Sequence, residues 1–313
     1  MLNRRHIRVK VMQTIYAMHQ NGSDQVEKEQ RFLINSIDII QDLYLMMLSI
    51  LIELGNKETE YLERASQKHL ATPAERNPNR KFVNNAVIQL LSNSEVLQDA
   101  VDKRKMNHWK LNDDYILVLL EATKSSPLYQ AYMEHPKSSF ADDRDFIVAL
   151  FTEVIAPNEK LYAHLEDLKL TWIDDIPVVN TYIVKQLTGL SSPEQKLKLP
   201  KKYRDPEDQE YAEKLFIKTV LNEVELASCF SDKTPNWDVD RIAEVDTIIL
   251  KMAICELLHF SSIPVKVTLN EYLEIAKEYS TPKSSIFING ILDNLVKDFQ
   301  ASGRLQKIGR GLI

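Results

Sequence analysis

The chain has 313 residues, which is enough for one large domain or two ordinary ones. Its net charge of −6 gives no overall attraction to nucleic acid, and its two cysteines show no CxxC or Cys/His spacing, which excludes a disulfide framework and a zinc finger. The most apolar run, residues 43–52, is too short to span a bilayer. No apolar signal segment follows Met1, so we expect a cytoplasmic protein.

The spacing of the apolar residues predicts an all-α fold. Glycine is scarce, with seven residues, and apolar side chains recur at intervals of three and four along most of the chain. No stretch of alternating apolar and polar residues is bounded by hairpin turns. We therefore expect helices throughout.

The first predicted helix runs from about residue 3 to residue 19, and Asn21-Gly22 ends it. Residues 1–20 contain no acid, and their basic side chains are Arg4, Arg5, Arg8 and Lys10. At 100° per residue, the arginines lie to one side of an apolar stripe that includes Ile7 and Val11. One face of this helix is expected to pack, while the neighbouring face stays solvated and positive.

The middle of the chain is expected to be helical with polar interruptions. A second helical region covers residues 26–54, a loop rich in Pro and Asn covers 73–80, and further helical patterns cover 81–190. Residues 191–206 carry several lysines between prolines and are expected to form an exposed basic connector.

One internal similarity concerns the tryptophans. Trp172 and Trp237 stand in similar patterns about 65 residues apart, each after a helical segment and before acids and isoleucine, and a weaker echo begins at Trp109. Either the middle region contains degenerate copies of one helix-Trp-Asp-helix unit, or the recurrence is chance. Both alternatives remain open from the sequence.

Helix starts near the carboxyl end carry local capping signals. The predicted signals are Asp238 as an N-cap with Asp240 in the first turn, Thr268 in a capping box with Glu271, and Thr281-Pro282. Ile263-Pro264 interrupts the helical pattern between the first two starts. Gly290 in the last helix costs helical stability, which suggests that another backbone passes close to it.

Four segments of the last quarter resemble the core of the NusB family of transcription antitermination factors. They are Asn236-Trp237-Asp238-Val239-Asp240-Arg241-Ile242, Ile263-Pro264, Thr268-Leu269-Asn270-Glu271 and Phe287-Ile288-Asn289-Gly290-Ile291-Leu292-Asp293. The arginine-rich opening of the chain, with Gln13 and Tyr16, also resembles the start of that family. The resemblance implies a NusB-like helical bundle, here with a large helical insertion or degenerate repeat.

The resemblance divides the chain into four segments. A basic first helix and a second helical region occupy residues 1–54, a helical insertion of unknown role occupies 55–204, a NusB-like core occupies 205–300 and a basic tail occupies 301–313.

The family's function implies an RNA site and partners. By residue match, Arg4, Arg5 and Arg8 would contact single-stranded boxA RNA, with Lys10 adding to the positive field. Partner-facing or RNA-adjacent positions match Tyr16, Asp246 and Phe287. The implied partners are a NusE-type small-subunit ribosomal protein and the elongation complex of RNA polymerase. The alternative is a helical protein-interaction scaffold that has lost RNA binding.

Signals of catalysis are not found in the sequence. No HExxH, EF-hand spacing, P-loop or GxGxxG occurs, and acid pairs such as Asp113-Asp114 sit at predicted helix starts, where capping explains them. We therefore expect a non-enzymatic protein with no cofactor, no metal site and no membrane association.

Overall fold

The computed structural model describes residues 1–136, 139–231 and 243–309. Within these residues the secondary structure is helical, without a β-strand, and the all-α prediction is confirmed. The helices are α1 (Arg4–Gln20), α2 (Val26–Asp38), α3 (Ile40–Ser66), α4 (Pro73–Arg76), α5 (Ala86–Ser92), α6 (Glu95–Lys103), α7 (His108–Leu111), α8 (Asp113–Ser125), α9 (Pro127–Glu134), α10 (Phe140–Leu150), α11 (Glu159–Leu168), α12 (Asp175–Thr188), α13 (Asp208–Leu221), α14 (Glu223–Ser231), α15 (Glu244–His259), α16 (Val265–Tyr279) and α17 (Ser284–Ala301).

The chain forms two compact units. One contains Asp38–Lys202 with Met1, and the other contains Leu2–Ile37 together with the residues from Tyr203 onward. The whole of α3 packs among helices of the first unit. The four segments proposed from the sequence remain a prediction.

The first unit is built around α3. This helix packs against α5, α8 and α12, and its apolar residues are buried on most sides. Two tryptophans attach other segments to α3 and to the residue before it. Trp109 donates its indole N–H to the carbonyl of Met46 in α3 at 2.9 Å, and Trp172 donates to the carbonyl of Ile39, directly before α3, at 3.2 Å. The helical region predicted for residues 26–54 is two helices that separate at Ile39, and the second extends to Ser66.

The second unit is built around α15. This helix contacts α1, α13, α14, α16 and α17, and its residues from Ile248 to Leu257 are buried except for Lys251. Helix α1 packs against α13, α15 and α16, although most of the chain separates it from them. Its start lies close to the predicted residue 3, and the side chain of Asn3 caps it by accepting a hydrogen bond from the backbone N–H of His6 at 3.0 Å.

Two helix starts in the second unit differ from the sequence prediction. The break at Ile263-Pro264 is confirmed, but α16 begins at Val265 directly after Pro264, so Thr268 lies inside the helix and caps nothing. Helix α17 begins at Ser284 rather than at Thr281-Pro282. The predicted N-cap at Asp238, the first-turn Asp240 and Trp237 lie outside the described residues, and the proposed repeat of the Trp172 pattern therefore stays a prediction.

None of the helices in the described parts of the chain combines the length and the apolar character that a membrane span needs.

Two helical glycines have opposite surroundings. A Cβ built on Gly55 in α3 would lie 2.9 Å from the Cγ2 of Ile88 in α5, so these two helices meet closely. Among the described residues, a Cβ on Gly290 in α17 would meet nothing within 4 Å, so the expected close backbone is not found in this part of the chain.

We predict that Gly55→Ala lowers the midpoint of thermal unfolding, since overpacking costs about 1–3 kcal/mol and the gain in helix propensity is only about 1 kcal/mol. The matched variant Gly290→Ala has the same propensity gain without the clash, so it should raise the midpoint. Melting curves followed by circular dichroism compare the two. An equal rise for both variants would contradict the close approach at Gly55.

Candidate nucleic-acid interface

A buried ion pair joins α1 to α15. Arg8 donates from Nε and Nη2 to the two carboxylate oxygens of Glu256, both at 2.8 Å. Only 2% of the Arg8 side chain and none of the Glu256 side chain is exposed. The planar guanidinium matches the carboxylate in a two-bond arrangement, which is the strongest form of this contact.

Three hydroxyl groups complete the surroundings of Glu256. Its oxygens accept from Tyr211 at 2.5 Å, from Thr268 at 2.8 Å and from Tyr272 at 3.3 Å. Burial alone would raise the pKa of Glu256, but the charge and hydrogen bonds of Arg8, with the hydroxyl donors, outweigh it and hold the pKa below its usual value. The carboxylate is therefore ionised at neutral pH, and it ties together α1, α13, α15 and α16.

Arg5 and Arg4 extend this arrangement towards solvent. Arg5 donates from Nε and Nη2 to Glu271 at 2.8 and 3.0 Å, and Arg4 donates from Nε to Asp208 at 3.0 Å. The guanidinium of Arg4 also lies over the ring of Tyr211, 4.9 Å from its centroid. Both side chains are about one-third exposed. Among the described residues, the Nη1 group of neither arginine has a hydrogen-bond partner, so both keep donors for a ligand.

These arginines line a surface groove of about 580 Å³ at the amino end of α1. Its other walls come from the turn between α15 and α16 and from the first turns of α16. The lining residues are Asn3, Arg4, Arg5, Arg8, Ser262, Ile263, Pro264, Val267 and Glu271. The groove thus combines guanidinium donors, which bind and stack on the bases and phosphates of single-stranded RNA, with an apolar wall.

The family model for the NusB family matches residues 181–297. A transcription antitermination protein NusB from Salinibacter ruber is 44% identical over 109 residues, which is 35% of this chain and 68% of the relative. The chain belongs to the NusB family.

Two further relatives carry the same name. The NusB of Chloroherpeton thalassium is 37% identical over 109 residues, or 35% of this chain and 52% of the relative. The NusB of Clostridium botulinum is 43% identical over 90 residues, or 29% of this chain and 68% of the relative. No solved structure matches the chain significantly.

The NusB match extends over most of the second unit but does not include its amino-terminal part. Residues 181–297 contain α13–α16 and most of α17, whereas α1 lies outside the matched segment. The packing of α1 against α13, α15 and α16 nevertheless places the arginine-rich helix in the same compact unit. The NusB-like helical bundle predicted from the sequence is confirmed. The chain is longer than the part that resembles NusB.

Two of the four basic residues predicted for RNA contact are buried. Arg8 and Lys10 have 2% and 3% of their surface exposed, so the expected solvated face of α1 does not include them. The arginines were placed beside the apolar stripe of α1, but three helices surround this part of α1 and cover that side as well. Arg4 and Arg5, near the open end of the helix, are the two that reach the groove.

The three further contact candidates have different surroundings. Tyr16 is 39% exposed on α1, and Phe287 is half-buried near the start of α17. Asp246 is buried, and its Oδ2 accepts from the hydroxyl of Ser284 at 2.6 Å. This contact connects the start of α15 to the start of α17, so Asp246 has a structural role within the unit.

The acids that organise the groove were not predicted as site residues. Glu256 lies in an otherwise apolar part of α15, and this was a usable signal because a charge on a buried helix needs a partner. Asp208 and Glu271 gave no such signal, since acids in exposed helical patterns are common. In the described residues, no group of three or more His, Cys, Asp and Glu side chains is arranged to hold a metal ion.

A second charged contact lies at the other end of α1. His19 forms hydrogen bonds through Nε2 with Glu223 at 2.8 Å and through Nδ1 with Glu244 at 3.1 Å. These bonds connect α1 with the first residues of α14 and α15. The hydrogen bond with Glu223 is the main cause that raises the pKa of His19 above its usual value, although burial opposes it.

We predict that Arg8→Ala destabilises the second unit by roughly 3–5 kcal/mol, because it leaves the Glu256 carboxylate buried without its charge partner. The control is Arg304→Ala, which removes an exposed pair with Glu225 and should cost less than about 1 kcal/mol. Urea unfolding followed by circular dichroism measures both. Equal losses of unfolding free energy in the two variants would show that the buried pair stabilises the unit no more than the exposed pair does.

We predict a pH dependence of stability from His19. Since its folded pKa is raised, its contribution is fully present below the unfolded pKa of about 6.5 and is lost as pH rises through the folded pKa. The urea midpoint should therefore fall between about pH 6 and pH 9 by more in the wild type than in His19→Gln. His69→Gln, an exposed histidine in the first unit, serves as the control and should behave as the wild type. If the urea midpoint of His19→Gln fell with pH as steeply as that of the wild type, the effect would belong to another titratable group.

Proposed function

We propose that this protein is a non-enzymatic transcription antitermination factor. It binds a short, single-stranded, boxA-like RNA together with a NusE-type small-subunit ribosomal protein, and it connects this complex to elongating RNA polymerase. Its action supports transcription of ribosomal RNA, in the cytoplasm. Membership of the NusB family and the names of the relatives support this role.

The observation that carries the proposal is the groove beside Arg4 and Arg5. Both guanidinium groups are held in place by carboxylates and keep Nη1 available, so a ligand meets donors that are already oriented. Arginine recognises RNA through bonds to phosphate and base and through stacking, and unpaired bases offer all three. Arg8 acts indirectly, since its pair with Glu256 fixes the helix that presents Arg4 and Arg5. Lys10 contributes its charge from a buried position.

Tyr16 and Phe287 are the candidates for contact with the protein partner. Tyr16 lies on α1, which is the helix that carries the arginines, and an aromatic side chain with a polar end suits a protein interface.

Replacing both Arg4 and Arg5 with alanine should weaken binding of a boxA-like oligonucleotide. The slope of log K against log salt should become shallower by about 0.7 for each phosphate contact that is lost. Fluorescence anisotropy over a salt series measures both quantities, with and without the NusE-type protein. Arg304→Ala changes the net charge in the same unit away from the groove and should leave binding unchanged.

Two outcomes contradict the proposal. Normal affinity and slope in the Arg4 and Arg5 variant would place the RNA site elsewhere. Absence of wild-type binding under both conditions at low salt would favour a protein-interaction scaffold that has lost RNA binding.

A further inference from the structure

The charge of the groove differs from that of the isolated first helix. Three guanidinium groups, of Arg4, Arg5 and Arg8, lie within 4 Å of four carboxylates, which belong to Glu207, Asp208, Glu256 and Glu271. The acid-free amino-terminal segment is therefore neutralised in the folded protein. General attraction for the phosphates of RNA is weak here, and another source of affinity is needed.

Glu271 is the carboxylate that matters most to a ligand in the groove. It lines the groove, it is 22% exposed, and it bonds to both Nε and Nη2 of Arg5. Nη1 of Arg8 lies 3.7 Å away and restrains it further. By contrast, Glu207 is 83% exposed and can turn towards solvent, while Asp208 and Glu256 are buried.

The two hydrogen bonds from Arg5 to Glu271 determine which kind of ligand atom can bind to Nη1 of Arg5. A phosphate oxygen that bonds to Nη1 of Arg5 would lie roughly 6–7 Å from the carboxylate, and the two negative charges repel. A neutral acceptor, such as a carbonyl oxygen or ring nitrogen of a base, does not meet this repulsion. Glu271 at the same time fixes the plane of the guanidinium, which gives the bond a defined direction.

The apolar wall of the groove agrees with a base. Ile263, Pro264 and Val267 lie along the groove with Arg5, and Val267 is 42% exposed. A planar base gains free energy when its face is buried against an apolar surface, whereas a phosphate gains nothing.

We propose that this groove is a nucleobase-reading subsite and that Glu271 is a specificity-determining residue. Arg5, neutralised and oriented by Glu271, donates from Nη1 to a base acceptor, and Pro264 and Val267 form the wall against which the base lies. The inference rests on the proposed RNA-binding function. It adds that Arg5 reads a base and that Glu271 suppresses binding of RNA through phosphate contacts alone.

The test compares a boxA-like oligonucleotide with oligouridylate of the same length, each over a salt series, for the wild type and single variants. Arg5→Ala should weaken binding of the boxA-like RNA without changing its salt slope. Glu271→Gln should raise the affinity for oligouridylate about three- to fivefold and steepen its slope by about 0.7, because Arg5 can then donate to a phosphate oxygen. The preference for the boxA-like RNA should fall accordingly.

Glu225→Gln is the matched control, since it removes one exposed acid of the same unit that does not line the groove. It should change neither the affinity nor the salt slope for either RNA. Thermal unfolding checks that Glu271→Gln is folded. Val267→Ser, at an exposed position, gives an independent test: it should weaken binding of the boxA-like RNA with an unchanged salt slope.

Three results overturn the subsite while the proposed function stands. They are a fall of about 0.7 in slope with equal loss for both RNAs in Arg5→Ala, an unchanged preference in Glu271→Gln, and unchanged affinity in Val267→Ser. If the wild type binds neither RNA, with or without the NusE-type protein, the proposed function fails and the subsite fails with it.

Discussion

The buried pair of Arg8 and Glu256 is the contact on which the second unit depends. Two charges taken out of water are costly, and they are tolerated only where each finds a full set of partners. Glu256 meets this condition with two bonds from Arg8 and three hydroxyl donors from Tyr211, Thr268 and Tyr272. Because these residues come from α1, α13, α15 and α16, the pair fixes the first helix of the chain against the segment that matches the NusB family.

The position of the arginines within α1 then determines their roles. Arg8 is one turn deeper than Arg4 and Arg5 and is enclosed, whereas the other two reach the groove at the open end of the helix. Acids from α13 and α16 neutralise them there. A helix that looks like a general binder of polyanions in the sequence is, in the fold, a set of oriented donors with little net field. Such a site favours recognition by directed bonds and stacking over attraction to any phosphate chain.

Local signals in the sequence predicted much of the fold. The end of α1 at Asn21, the break at Pro264 and the all-α pattern depend on neighbouring residues, and each appears in the structure. The candidate site was predicted in part, since Arg4 and Arg5 lie in the groove. The burial of Arg8 was not predicted, because it depends on three helices from distant parts of the chain. The role of Thr268 was not predicted for the same reason. Its spacing to Glu271 is a local signal of a capping box, but in the fold its hydroxyl donates to Glu256, which lies on another helix.

The proposed function requires RNA to bind at the amino end of α1, beside the turn that leads into α16. Ultraviolet cross-linking of the full chain to a boxA-like RNA, with the NusE-type protein present and the cross-linked peptides identified by mass spectrometry, tests this claim most directly. We expect cross-links on peptides that contain Arg4 and Arg5 and on those that contain residues 262–267. Cross-links confined to the first unit, residues 38–202, would contradict it.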